Sequence, residues 1–414
     1  MAKRFLTLIL VMFTLINTSG CWNRVEPENY SWVTWIGLDR LADGKVKMTV
    51  VVTPPLSPVP TGSAPPESLM LVSSATGSTL FEAARNLTSH VPKRLFWSYL
   101  QAVIISEDLA RSGVEQHIDT LFRNVRNRKN AWVFITKGST EPIFKIDPKI
   151  EVNPAKLIES LVKAEHGFLG TSRVIRLKDF QTELEGPGID TVVAALGVWD
   201  PKNETILPPG AKTPQKGELA LDGSAVFRGD KLIGWLSQEE TRVLNIAKGD
   251  LKAGTMVVPH PDNPQNLALV EIIKSSTKLK AQIAGNQVEA SIKIKIKGNL
   301  GDQRLDSPAR TIETPIEEPE FYRSLGKELE QKIKSEIDEL IAKSQTEFGS
   351  DIFGVGDYIM SRYPKDWKRI SSDWQNYYRK ATIDVQVKVT IETPNVMRSH
   401  LPGDEKAKQP EPNE

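Results

Sequence analysis

Apolar side chains fall on alternate positions along residues 45–53, at Val46, Met48, Val50 and Val52. This predicts a strand with one buried face. Residues 30–38, with Trp32, Trp35 and Ile36, form the strand before it, and Asp43-Gly44 supplies the positive-φ step of a hairpin turn. Six prolines with Ser, Thr and Gly make residues 54–66 an irregular loop. A strand is predicted at 69–75. A helix follows at 78–89, capped by Ser78, with Leu80, Phe81, Ala84 and Leu87 on one face. The unbroken apolar run from Ala102 to Ile105 suits a strand buried on both faces. Residues 107–110 form a short helix and 113–126 a longer one, with Val114, Ile118, Leu121, Phe122 and Val125 at helical spacing. A strand at 130–136 and a helix at 139–146 complete this region.

Pro148 and Pro154 bracket an expected boundary. Beyond it the pattern predicts helices at 154–165 and 176–183, a strand at 191–199, and a loop at 200–216. A second hairpin, 219–228 with 231–236, turns at Gly229-Asp230. The helix at 237–247 has Glu239 and Glu240 in its first turn, where the macrodipole favours acids. Four strands are expected at 255–259, 266–275, 277–284 and 287–297. In the last, Val288, Ala290, Ile292, Ile294 and Ile296 alternate with polar partners, the clearest one-faced strand in the chain. The longest helix is predicted at 315–348. Leu325, Leu329, Ile333, Ile337, Leu340 and Ile341 mark its buried stripe, with Glu328–Lys332 and Glu330–Lys334 at i,i+4 on the other face. Residues 363–378 are rich in Trp and Tyr, and 381–393 form the final strand. The polar residues 396–414 are expected to be a disordered tail. Strands that alternate with helices imply an α/β or α+β sheet protein.

The N-terminus has a different pattern. Lys3 and Arg4 precede an apolar run from Phe5 to Ile16 that is too short to span a bilayer, and small residues Thr18, Ser19 and Gly20 lead to Cys21. This is the layout of an export signal over residues 1–20. Cys21 is the chain's sole cysteine and stands directly after the small residues, the arrangement of a bacterial lipobox in which the thiol receives a diacylglyceryl group. Thr18 stands where Leu or Val is usual. The alternative is an ordinary signal peptide with an incidental Cys. Acyl chains contribute about 0.8 kcal/mol of membrane affinity per methylene, enough for two long chains to hold a protein firmly.

Length changes the picture next: 414 residues suggest two or three domains. Lys and Arg total 53 against 52 Asp and Glu, and loss of Lys3 and Arg4 with the signal leaves 51 basic residues and a net charge of −1. A balance this even gives no reason to expect nucleic acid as a partner. It also predicts a protein held at a membrane by its lipid and not by anionic headgroups. No later stretch reaches about 18 consecutive apolar residues, so no internal span is expected.

Catalytic signatures are missing. His90, His117, His166, His260 and His400 are scattered, with no pair at metal-ligand spacing, and one Cys excludes a multi-cysteine zinc site. Walker A, GxGxxG and GxSxG patterns do not occur, although a Ser nucleophile with distant partners has no sequence signature. Asp39 to Gly44 lacks the alternating acids and terminal Glu of a calcium loop and reads as a hairpin turn. Trp367 and Trp374, near Tyr363, Tyr377 and Tyr378, are expected to close a core; an aromatic ligand site is the alternative. No catalytic, cofactor or metal residue is assigned, and the one candidate site residue is Cys21.

Several motifs then occur in order. Gly20-Cys21-Trp22-Asn23-Arg24-Val25-Glu26 is followed by Trp35-Ile36-Gly37-Leu38-Asp39 and Ala75-Thr76-Gly77. Glu82-Ala83-Ala84, Ile104 to Ala110 and the Arg-rich 123–128 come next. Further on stand Gly223 to Arg228, Gly234-Trp235-Leu236, Asp351-Ile352-Phe353-Gly354, Pro364-Lys365-Asp366-Trp367 and Trp374. Over residues 20–393 the chain resembles the C-subunit lipoproteins of spore germination receptors, the Ger(x)C family. Asn23 in place of a common Asp and Pro394 near a frequent Gly depart from the pattern. The resemblance implies an α+β fold of three mixed α/β domains, with mainly antiparallel sheets flanked by helices, at 22–147, 152–250 and 254–393; the 201–217 loop is a rival boundary. It implies a non-enzymatic, lipid-anchored subunit on the extracytoplasmic face, in the spore inner membrane. Its expected partners are two multi-pass membrane receptor subunits. An extracytoplasmic solute-binding lipoprotein and an exported hydrolase are the competing classes. The first would need two large lobes around a cleft, and the second lacks its motifs.

Overall fold

A tight turn joins the first two strands, as its residues require. Gly44, at φ 82°, donates its N–H to Leu41 O at 2.9 Å, and Asp43 Oδ1 accepts the Lys45 N–H at 3.0 Å. The computed structural model describes residues 4–7, 26–53, 71–123, 128–147, 151, 153–211, 217–304 and 319–392. Apart from residues 4–7, the expected export signal lies outside them, as do Cys21, the 54–66 loop and the 396–414 tail. By contacts the chain divides into two compact units. The first is Met1–Val162, Val174–Glu185 and Thr191–Trp235; the second is Lys163–Arg173, Gly186–Asp190 and Leu236–Glu414.

In the first unit, β1 (Tyr30–Arg40) pairs antiparallel with β2 (Val46–Thr53), which pairs with β3 (Leu71–Gly77). Then come α1 (Leu80–Asn86), β4 (Arg94–Phe96), β5 (Ala102–Ser106), α2 (Glu107–Ser112) and α3 (Glu115–Arg123). Next are β6 (Trp132–Thr136), α4 (Glu141–Phe144), α5 (Pro154–Ala164), β7 (Ile175–Arg176) and α6 (Leu177–Glu185). β8 (Val192–Asp200), β9 (Thr205–Ile206), β10 (Glu218–Arg228) and β11 (Lys231–Leu236) end the unit. The main strand order is β11-β10-β8-β6-β5-β1-β2-β3, with β1, β5, β6 and β8 parallel at the centre. Alternate residues of β5 feed two cores: Val103 and Ile105 join one cluster, Ala102 and Ile104 the other. β6 divides likewise, with Val133 and Ile135 on one side and Phe134 on the other. Burial on both faces explains why these strands are continuous apolar runs.

Two local expectations shift. The cap of α1 is Thr79 and not Ser78: Thr79 Oγ1 accepts the Glu82 N–H at 3.1 Å, while the Ser78 N–H goes to Glu82 Oε2 at 2.7 Å. Pro154 opens α5, where its missing N–H costs nothing, and β6 and β8 pair across the 148–154 stretch in one sheet.

In the second unit, α7 (Gln238–Lys248) begins with a capping box: Ser237 Oγ accepts the Glu240 N–H, and Glu240 Oε2 accepts the Ser237 N–H. The sheet is β12 (Gly254–His260), β13 (Asn263–Ala284), β14 (Gln287–Arg304) and β15 (Thr382–Glu392), in that order. β14 and β15 are parallel and the other pairs antiparallel. The strands expected at 266–275 and 277–284 are one 22-residue strand. Ser275-Ser276-Thr277 looks like a turn in sequence, yet its backbone stays paired with β14 and Thr277 Oγ1 donates to Ile246 O at 2.6 Å. The long helix α8 (Pro319–Lys343) packs on β15 and buries the predicted stripe from Leu325 to Ile341. A π-helical turn, Ser344–Phe348, extends it to Gly349. Three short helices follow: α9 (Val355–Arg362), α10 (Pro364–Ile370) and α11 (Trp374–Arg379).

Candidate functional site

In the first unit α1, β4 and α3 enclose a groove of about 840 Å³. Helical spacing turns Leu80 and Ala84 of α1 toward its floor and leaves Phe81 and Arg85 at the lip. Strand alternation buries Leu95 and exposes Arg94. From α3, Leu121 is buried and Arg123 exposed, and Met48 and Trp97 complete the apolar floor. The rim carries Arg85, Lys93, Arg94 and Arg123 against one carboxylate, Asp119, which Arg123 Nε contacts at 2.8 Å. The Arg85 guanidinium lies 5.3 Å from the centroid of the Phe81 ring, whose residue is 60% exposed. Lys93 adopts φ 74°, a left-handed conformation that costs a side-chain-bearing residue about 1–2 kcal/mol. Such a site offers guanidinium forks and apolar contact area, which together suit an acidic ligand with hydrocarbon side chains.

A second cluster lies in the second unit, where two of the sequence motifs meet. Buried Asp351 accepts N–H groups from Gly354 (2.9 Å) and Val355 (3.1 Å) at Oδ1 and from Gly356 (2.8 Å) at Oδ2, and so caps α9. Asp190 is tied to it twice: its N–H donates to Asp351 O at 2.9 Å, and its Oδ2 accepts the Asp351 N–H at 3.0 Å. Burial pushes the Asp351 carboxyl up to about 6, against the lowering effect of its N–H donors. The buried Tyr378 and Ser344 hydroxyls share a 2.6 Å hydrogen bond, and burial raises the Tyr378 pKa well above its ordinary value. Trp374 packs beside them, 5.2 Å from the ring of Trp367, with both residues buried. A Cβ on Gly356 would lie 2.6 Å from Trp374 Cε2, so only glycine fits there. These contacts are those of a packed core.

Other expectations fall out as follows. Asp39 accepts hydrogen bonds from the backbone and hydroxyl of Thr140, and burial raises its pKa. His117 is buried and its pKa is lowered by desolvation; it lines a recess of about 300 Å³ with Ser112 and Gln116. His260 packs on Phe321. Cys21 and His400 lie outside the described residues. Among the described residues no group of three His, Cys, Asp or Glu side chains is placed to hold a metal ion, and no helix is long and apolar enough to cross a membrane. The groove was not legible in the sequence because its rim comes from three separated elements. The sole hint was the Arg-rich 123–128 stretch that begins at Arg123.

Comparison with known proteins adds identity to geometry. Residues 23–198 match the family described as spore germination protein N-terminal domain, and residues 222–395 match the one described as spore germination B3/GerAC like, C-terminal. The candidate spore germination protein YfkR of Bacillus subtilis (strain 168) is 26% identical over 96% of this chain and 98% of its own. Spore germination protein KC of the same organism is 23% identical over 94% and 96%. The crystal structure of the GerBC protein matches with a TM-score of 0.54 and 18% identity, over 86% of this chain and 96% of that one, a shared fold.

Proposed function

Because this chain belongs to the GerAC-like family of spore germination proteins, we propose that it is the peripheral, lipid-anchored subunit of a germinant receptor. It works without catalysis, by binding two multi-pass receptor subunits from the extracytoplasmic face of the spore inner membrane. The observation that carries this reading is the tandem match of both family domains, in order, over residues 23–198 and 222–395. Cys21 is the acylation site, and the lipid confines the protein to two dimensions, so a modest interface with membrane partners suffices.

The groove between α1, β4 and α3 is the contact surface in this reading. Its cationic rim and apolar floor complement an acidic segment of a receptor subunit that inserts one or two apolar side chains. Affinity capture of the tagged, full-length lipoprotein from spore membranes is the test. Both multi-pass subunits are expected with the parent and depleted with Arg85→Glu/Arg94→Glu. Capture of neither subunit, together with saturable binding of a small solute, would replace this function with that of a solute-binding lipoprotein. In Cys21→Ala the protein is expected to leave the membrane or persist as precursor.

A further inference from the structure

The second unit's sheet buries one face of alternate apolar residues and leaves the other to solvent. On the solvent face, register places lysines against lysines. Lys278 is directly opposite Lys293 and Lys274 opposite Lys297 across β13 and β14, and Lys295 is opposite Lys388 across β14 and β15. Lys280, also exposed, makes the seventh. The acids of this face are Glu271, Glu289, Asp302, Asp384 and Glu392, and Glu392 is already engaged by Lys297 at 2.7 Å. Lys388 reaches Glu330 of α8 at 3.5 Å. Lys274, Lys278, Lys280, Lys293 and Lys295 have no carboxylate at ion-pair distance among the described residues. Like charges directly opposite on neighbouring strands repel, so this arrangement gains stability when an outside anion is supplied.

We propose that this lysine face docks on an anionic phospholipid surface. Around the lysines the other outward positions are Ser276, Gln282, Ser291, Gln386 and Thr390, all polar, while the exposed apolar Val257 and Ile273 stand toward the β12 side of the sheet. A protein partner of stable affinity needs a buried apolar or aromatic anchor, and lysine is depleted from such interfaces. A flat array of flexible point charges suits headgroups, which need no pocket and no fixed geometry. The mature chain's net charge of −1 conceals this segregation. The proposal extends the membrane-bound reading but does not require Cys21 to be acylated.

The test therefore uses the chain without its lipid, residues 22–414. It is sedimented with vesicles of phosphatidylcholine alone or of phosphatidylcholine mixed with phosphatidylglycerol. At low salt, partition into the mixed vesicles is expected to be about tenfold or more stronger, and to fall steeply as the Debye length shrinks. Lys278→Gln/Lys280→Gln/Lys293→Gln/Lys295→Gln is expected to lose that preference with an unchanged melting transition. Lys156→Gln/Lys178→Gln/Lys231→Gln/Lys365→Gln, which removes as many exposed charges elsewhere, is expected to keep it. Equal binding to both vesicle types, or a lysine-face variant that binds like the parent, overturns the proposal. So does a preference for soluble polyglutamate over the mixed vesicles. None of these outcomes depends on the receptor subunits or on Cys21.

Discussion

The protein carries two cationic surfaces that differ in kind. The groove of the first unit sets three arginines and one lysine around buried Met48, Leu95 and Leu121. The sheet face of the second unit gathers seven lysines across β13, β14 and β15, with Ser276, Gln282, Ser291, Gln386 and Thr390 between them and no buried apolar floor beneath their charges. Arginine presents a planar fork that holds a carboxylate in one geometry, and an apolar floor rewards an occupant that fits it. Lysine presents a mobile point charge, satisfied by any nearby anion. Charge of one sign thus gives selectivity in one place and diffuse adhesion in the other. What separates them is the apolar area beneath the charges.

The largest expected effect tests whether the lysine face works as part of a folded unit. Trp374→Ala removes a buried ring from the second unit and should cost about 3–5 kcal/mol. Chemical denaturation should show this, with vesicle binding lost only under conditions where the variant unfolds. A stable variant that failed only in receptor capture would make Trp374 an interface residue.

Asp351 adds a pH dependence to the same unit. Its folded pKa of about 6 lies above the ordinary value of 3.8, so between these limits the folded chain keeps a proton that the unfolded chain has released. Stability from this group is full below 3.8, falls as pH rises through the window, and is flat above about 6, a loss on the order of 3 kcal/mol. Denaturation of the parent and of Asp351→Asn across that window should show a steeper loss in the parent, since Asp39, Glu165 and Glu336, also raised by burial, keep a slope in both. Parallel slopes would refute the assignment.

Charge reversal in the groove sharpens the contrast directly. Arg85→Glu/Arg94→Glu should reduce capture of the receptor subunits about tenfold or more, near 1.4 kcal/mol. It should leave vesicle partition as it was. Loss of both activities together would mean that the two surfaces serve one ligand. The smallest effect is at the helix cap: Ser237→Ala should destabilise the second unit by about 1 kcal/mol, measurable in the melting transition with both binding activities intact.

Regular burial was legible in the sequence wherever one side chain's role fixed its neighbours' roles. The alternation from Val288 to Ile296 and the stripe from Leu325 to Ile341 lie where the periodicity put them. So does the doubly buried run expected at Ala102–Ile105, which lies within β5. The single β13 was not legible, because Ser275-Ser276-Thr277 has turn composition while its pairing with β14 is non-local. The lysine ladder failed for a related reason. Each lysine is an ordinary solvent-side residue of its own strand, and the charge opposition exists only once the register brings Lys278 to Lys293. Composition pointed the other way, since net charge sums over surfaces that a ligand meets one at a time. The roles of Arg85 and Arg94 needed α1, β4 and α3 to be assembled, which no local window contains.

The second unit recruits two short pieces from early in the chain, Lys163–Arg173 and Gly186–Asp190. Asn245 Nδ2 donates to the carbonyls of Gly170 (3.1 Å) and Ser172 (3.3 Å), and Asp190 is clipped to Asp351 across 161 residues of sequence. Time during synthesis is therefore a structural variable. At roughly 5–20 residues per second, Asp190 leaves the ribosome about ten to thirty seconds before Asp351 follows it. Throughout that interval the 186–190 piece has no Asp351 to bind, and the second unit cannot close. A gene split in the gap between the two matched family regions would make this wait permanent. The early half would carry Gly170, Ser172 and Asp190 without their partners, and the late half would hold Asn245 and Asp351 with nothing to receive.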